Sequence, residues 1–193
     1  MNIDFLISTL NNVENPKRVN RNKAANIVLE HPELVKHLVD LTFRTDDKIS
    51  IKASWILEWI CTHDGIQHIL PYIDVFTENI KNLKFDGALR TSAKICEHLA
   101  TDYDRNPTSE TKKKLTNSHI DTIIETGFDW LITDQKIAVK AYTMTTLFLF
   151  GKYRDWVHTE LEHIIRTTVI HESKGCEARG KKILTLIHKR NNS

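Results

Sequence analysis

Residues 45–53 read TDDKISIKA, and residues 133–141 read TDQKIAVKA. Six of the nine positions are identical, and Ile51 is matched by Val139. On a helix capped by Asp46 and running through Cys61, Ile49, Ala53, Ile56 and Ile60 fall within one narrow arc at ~100° per residue. In the second copy, capped by Asp134 and running through Phe150, Ile137, Ala141, Met144 and Phe148 occupy the same arc. Ile51 and Val139 lie on another side, so each helix carries two apolar faces and must be sandwiched between neighbours. A phrase of this kind, written twice in 193 residues, marks stacked helical units.

Looser versions lie on either side: VNRNKAANIVL at 19–29, DGALRTSA at 86–93 and EARGKKIL at 177–184. Aligned on the basic residue, they give a column of Arg21, Lys52, Arg90, Lys140 and Arg179, recurring at intervals of 31 to 50 residues. The remaining boundary signals are helical. Asn15-Pro16 opens a helix, with Asn as acceptor for an orphan N–H and Pro at the first position. His31-Pro32 separates it from a stripe of Leu34, Leu38 and Leu41. Asp86 precedes a helix to about Tyr103. Ser118 with Asp121 forms an approximate capping box ahead of Ile120, Ile123, Ile124 and Phe128. Ser173 or Lys174 starts the last helix. This gives about ten helical segments and no strand. Six Gly and four Pro are too few for the turns of an all-β fold. One domain over 1–193 is expected, with a polar, mobile insertion at 105–118 (RNPTSETKKKLTNS) and a frayed tail at 189–193.

The pattern of Asp, an aliphatic–basic pair and then a small residue resembles the second helix of a HEAT repeat. Asp86, Leu89, Arg90 and Ala93 match best; the 45–53 and 133–141 phrases keep the Asp and the pair but place Trp55 and Thr143 at the small position. The resemblance to the HEAT/armadillo class covers nearly the whole chain. It implies an all-α fold, an α-α superhelix of about five HEAT-like hairpins, whose concave surface binds proteins, peptides or nucleic acids. The run DDKISIKASWILEWIC (46–61), with FDWLI (128–132) and KAYTMTTLFLFGK (140–152), also resembles a group of small Bacteroidetes-type proteins that carry the label adenylosuccinate lyase. Such lyases use a serine loop of the form SSxMPxKxN for acid–base chemistry. This chain has no Ser-Ser pair and no Met-Pro, which argues against an active lyase.

Composition narrows the function further. A net charge of +2 is far below the electrostatic footprint of a dedicated nucleic-acid binder. Three dispersed cysteines, Cys61, Cys96 and Cys176, form no CxxC pair and read as buried thiols of a reducing cytoplasm. The most apolar run, Met144–Phe150, falls well short of the ~20 residues that span a bilayer. The N-terminal MNIDFLISTLNN lacks the basic region of a signal peptide. A cytoplasmic protein without membrane contact is expected. Glu160 and His163 make one Glu-x-x-His, but the second such motif of a di-iron bundle is missing, as are HExxH, GxSxG, GxGxxG and the P-loop. No catalytic residue, metal or cofactor is expected.

The candidate binding residues are therefore those an array would turn to its concave face: Lys52, Trp55, Glu58, Trp59, Arg90, Glu97, Lys140 and Arg179. Trp55 and Trp59 lie one turn apart and suit an anchoring patch; as large apolar groups they suit packing between repeats equally. The basic column either lines an anion groove or pairs with Asp46 or Asp47, Asp86 and Asp134 in an inter-repeat ladder, the latter being favoured. The leading reading is a non-enzymatic adaptor for an unknown protein or peptide. The alternative is nucleic-acid binding similar to HEAT-like DNA alkylation-repair proteins.

Overall fold

The structure is a computed structural model and describes residues 1–191. Among these residues there is helix but no β-strand. The α-helices are α1 (Ile3–Asn11), α2 (Arg18–Glu30), α3 (Leu34–Thr42), α4 (Ile49–His63), α5 (Ile73–Asn79), α6 (Asp86–Arg105), α7 (Glu110–Lys114), α8 (Asn117–Ile132), α9 (Ile137–Phe150), α10 (Asp155–Ile164), α11 (Ile170–Glu172) and α12 (Lys174–Asn191). A π-helical segment, Ile165–Val169, joins α10 to α11. The chain divides into two compact units, Met1–His98 and a second beginning at Leu99. None of the described helices is long and apolar enough to cross a membrane.

Each copy of the repeated phrase opens a helix. Ile49 is the first residue of α4 and Ile137 the first residue of α9. In the first unit α4 packs against α1, α2 and α3; in the second, α9 packs against α8, α10 and α12. Each is buried around most of its circumference, as two apolar faces require. Ile49, Ala53, Ile56 and Ile60 are all interior, as are Met144 and Phe148, whereas Ile137 at the end of its helix stays half exposed. Fully burying each such aliphatic side chain contributes roughly 1.5–3 kcal/mol. Several buried Ser and Thr residues bond their hydroxyls back along their own helices. Thr42 donates to the Leu38 carbonyl at 2.9 Å, Ser54 to that of Ile51 at 2.8 Å and Thr146 to that of Tyr142 at 3.1 Å.

Helix starts differ from the sequence reading by one to three residues. Asp47, not Asp46, accepts the N–H of Ile49 at 2.9 Å, while Asp46 reaches out to Lys84 at 2.6 Å. No side chain caps α9, which begins after Lys136. The capping box of α8 is Thr116 with His119, because the helix begins before Ser118: His119 N–H donates to Thr116 Oγ1, and His119 Nδ1 accepts the Thr116 N–H. Asn15 accepts from Lys17 N–H at 3.1 Å, so α2 starts at Arg18 rather than at Pro16. The polar 105–118 segment folds into α7, with Thr111 and Leu115 buried and Lys112 Nζ 4.9 Å from the Tyr103 ring centre. Of the expected frayed tail, 189–191 belong to α12, and 192–193 lie outside the described residues.

Gly127 sets the spacing of α8 on α9. A Cβ there would stand 3.1 Å from Leu147 Cδ2 and 3.3 Å from Thr143 Cγ2, so glycine lets the two helices approach closely. The buried stripe of α8, which includes Ile120, Ile123, Ile124 and Leu131, then faces inward. Its opposite face is left outside.

Candidate functional site

The structure places two of the predicted binding residues, Glu58 and Trp59, in the interior of the first unit. Glu58 is 1% exposed and Trp59 5%. The Glu58 carboxylate accepts from Arg21 Nη1 at 2.9 Å, from Lys94 Nζ, and from the Thr62 hydroxyl at 2.8 Å. Since Thr62 donates to Glu58, its oxygen accepts from His98 Nε2, 3.2 Å away. Burial alone would raise the Glu58 pKa; the bonds from Lys94 and Thr62 and the charges of Lys94 and Arg21 outweigh it and hold the carboxyl below its ordinary range. Burial also lowers the His98 pKa, with the Lys94 charge acting in the same sense. Trp59 stacks on the His63 ring at 3.7 Å, and the Arg21 guanidinium lies 4.5 Å from the Trp59 ring centre. Trp55, half-buried, lies against Gly87. The arrangement is an interior ion cluster, and Glu58 and Trp59 have almost no surface to offer a partner.

Four members of the basic column, Arg21, Lys52, Lys140 and Arg179, are engaged too. Lys52 donates to the Asn11 carbonyl at 3.1 Å. Lys140, 2% exposed, pairs with Glu172 at 2.5 Å, and Arg179 donates to the Thr145 hydroxyl at 2.7 Å. Arg90 and Glu97 are half-buried on α6. The carboxylate partners of Arg21 and Lys140 are thus Glu58 and Glu172 rather than the aspartates of the repeated phrase.

An unfilled surface feature lies in the second unit, between α8 and α10. A cleft of about 500 Å³ is lined by Phe128 and Ile132 of α8, Trp156 and Ile164 of α10, the carboxylates of Glu125, Asp129 and Glu160, and by His163, Thr167 and Thr168. Trp156 is 53% exposed and Ile132 60%. The Phe128 and Trp156 rings are 5.4 Å apart with a 30° tilt. The residues from α8 follow an i, i+3, i+4, i+7 spacing and so form one stripe. At the N-terminal ends of the two helices, Arg154 clamps them by donating to Asp121 at 2.7 Å and to Asn117 at 3.0 Å. At the other end, the π segment carries Thr167 and Thr168 into the wall. It is seated by Gly180, where a Cβ would meet Ile170 Cγ2 at 2.8 Å and Ile165 Cγ2 at 3.0 Å.

This site differs from the other clefts of the unit. A cleft of about 470 Å³ bounded by Asp155, His158, Glu162 and Arg166 is internally neutralised, with Glu162 bonded to both Arg166 and His188. A third, beside Lys140, contains the Lys140–Glu172 pair. Among the described residues no group of His, Cys, Asp and Glu is arranged to hold a metal ion. Sequence reasoning missed Trp156 and Ile132, although a signal was present. Each is a large apolar residue with polar neighbours on the helix surface: Glu160 and His163 beside Trp156, and Asp129 and Glu125, with Phe128 between them, beside Ile132.

Comparison with known protein families, with curated proteins and with solved structures returns no match.

Proposed function

We propose that this chain is a non-enzymatic helical-repeat adaptor, a HEAT-like superhelix of about five hairpins that binds a segment of another protein. The architectural part is supported by the repeated phrase, which opens α4 and α9 at the same register in two helices that are each packed by several others. The binding part is carried by one observation: Phe128, Ile132 and Trp156 hold an aromatic and aliphatic cleft open at the surface. Exposed apolar side chains grouped in a cleft, rather than scattered, mark sites where a partner excludes water.

The sequence placed the anchors at Trp55 and Trp59. With Trp59, Glu58 and Lys140 interior, the anchoring role passes to Trp156, the tryptophan among the exposed large hydrophobic residues. An unbiased displayed-peptide library panned against the full chain tests this. It should enrich peptides with an aromatic or branched aliphatic residue that no longer bind Trp156→Ala. Enrichment of nothing, or of peptides indifferent to Trp156→Ala, would overturn the adaptor reading.

A further inference from the structure

We infer that the α8–α10 cleft selects a positively charged, amphipathic helical segment of its partner, with apolar side chains on one face and lysine or arginine beside them. This rests on the adaptor reading and specifies the partner's chemistry.

The argument begins with charge. Glu125, Asp129 and Glu160 stand at the rim, all exposed, and none makes an ion pair among the described residues. Among the described residues no lysine or arginine lines the cleft, and His163 is the one histidine there. In a chain of net charge +2, this is a local concentration of negative charge around an apolar floor. Four other carboxylates of the unit are compensated: Asp121 by Arg154, Asp104 by Lys152, Glu162 by Arg166 and Glu172 by Lys140. The rim acids lie at positions that neither pack nor bond, where they can meet a cation brought by a partner.

Shape identifies the occupant's secondary structure. The floor runs along two helices, and Glu125 to Ile132 spans two helical turns, roughly 10 Å. A groove between helices with an apolar floor and a charged edge accepts a helix through anchors spaced three and four residues apart. Among the described residues there is no strand edge for an extended peptide to join. A second copy docked symmetrically would set the acids of one groove against those of the other, which like-charge repulsion disfavours. The same acids repel phosphate.

The test uses the full chain and a fluorescein-labelled helical peptide of leucine and lysine, with leucines three and four positions apart. Its partners are the glutamate counterpart and a scrambled lysine peptide; binding is followed by anisotropy. The lysine peptide should bind, weaken at least about 30-fold with Trp156→Ala, and weaken about tenfold with Glu125→Gln, Asp129→Asn and Glu160→Gln combined. Its affinity should fall from low to high ionic strength in the unmodified protein, a reading that needs no variant to fold. The glutamate and scrambled peptides should not bind.

Equal binding of lysine and glutamate peptides, or insensitivity to both salt and the rim substitutions, overturns the charge assignment. If the unbiased library still yields Trp156-dependent peptides in that case, the adaptor reading survives. Reversible self-association abolished by Trp156→Ala, measured by sedimentation, would assign the cleft to a second copy and overturn the inference.

Discussion

The interior ion cluster of the first unit gives the sharpest quantitative test. Glu58→Gln keeps the volume of the side chain and removes its charge. Two cations, Arg21 and Lys94, then face each other across a neutral amide, with side chains only 19% and 23% exposed. Arg21 already has a buried Nε without a hydrogen-bond partner, so it has little alternative bonding to fall back on. Breaking a fully buried ion pair from one side costs about 3–5 kcal/mol. Because both cations retain some contact with water, about 2–4 kcal/mol is expected here. For a chain of this size that lowers Tm by roughly 5–15 °C, read by thermal circular dichroism and by urea unfolding at neutral pH.

Acid supplies the second arm of that test. Glu58 has its folded pKa held below its ordinary 4.5, so the unfolded state takes up its proton more readily. The stability contributed by the carboxylate is complete above that ordinary value and is lost as pH falls through the lower, folded value. The gap between the natural protein and Glu58→Gln should therefore be constant from pH 7 to about 5 and close at more acid pH. The exposed pair Lys36–Asp40 is the control, where Lys36→Ala should cost no more than about 0.5 kcal/mol. A Glu58→Gln protein as stable as that control, or a gap that persists undiminished in acid, would refute the reasoning.

Other consequences are equally direct. Burial lowers the pKa of His98 and His158 below the ordinary 6.5, so protonation favours the unfolded chain; urea stability should decline as pH drops below 6.5, and His98→Gln should flatten that decline. Glu172→Ala strands the buried Lys140 and should cost about 2–4 kcal/mol in urea unfolding, whereas adding Lys140→Met should recover most of the loss, since the methylene stem already lies in an apolar setting. Burial pushes the Cys96 thiol up to about 12 and Cys61 higher still, and Cys176 is fully enclosed; a thiol reagent should label none of the three until the protein unfolds, and rapid labelling under native conditions would contradict this packing. Gly180→Ala should cost about 1–3 kcal/mol through overpacking against Ile165 and Ile170, measured as a fall in Tm.

Much of the architecture was legible in residue order. The duplicated phrase predicted two helices with two apolar faces, and α4 and α9 begin at matching residues and are each covered by several neighbouring helices. Periodicity is a property of local backbone geometry, so Ile49, Ala53, Ile56 and Ile60 declare a shared face without reference to any partner. Helix ends were read less well, because a cap depends on which neighbouring donor a short side chain reaches. Asp47 rather than Asp46, and Thr116 with His119 rather than Ser118 with Asp121, were settled by small differences in turn geometry.

What sequence order could not supply was which helix arrives to cover which side chain. Trp59 and Trp156 look alike in a string of letters. Trp59 lies beneath Arg21, contributed by α2, while Trp156, beside Phe128, stays 53% exposed. The pairing of Glu58 with Arg21 and Lys94 joins residues 37 and 36 positions away. Sequence thus determined the helices and their greasy sides. Tertiary packing alone decided which charges became interior and which apolar groups were left facing water, because burial depends on contacts between distant segments rather than on local conformation.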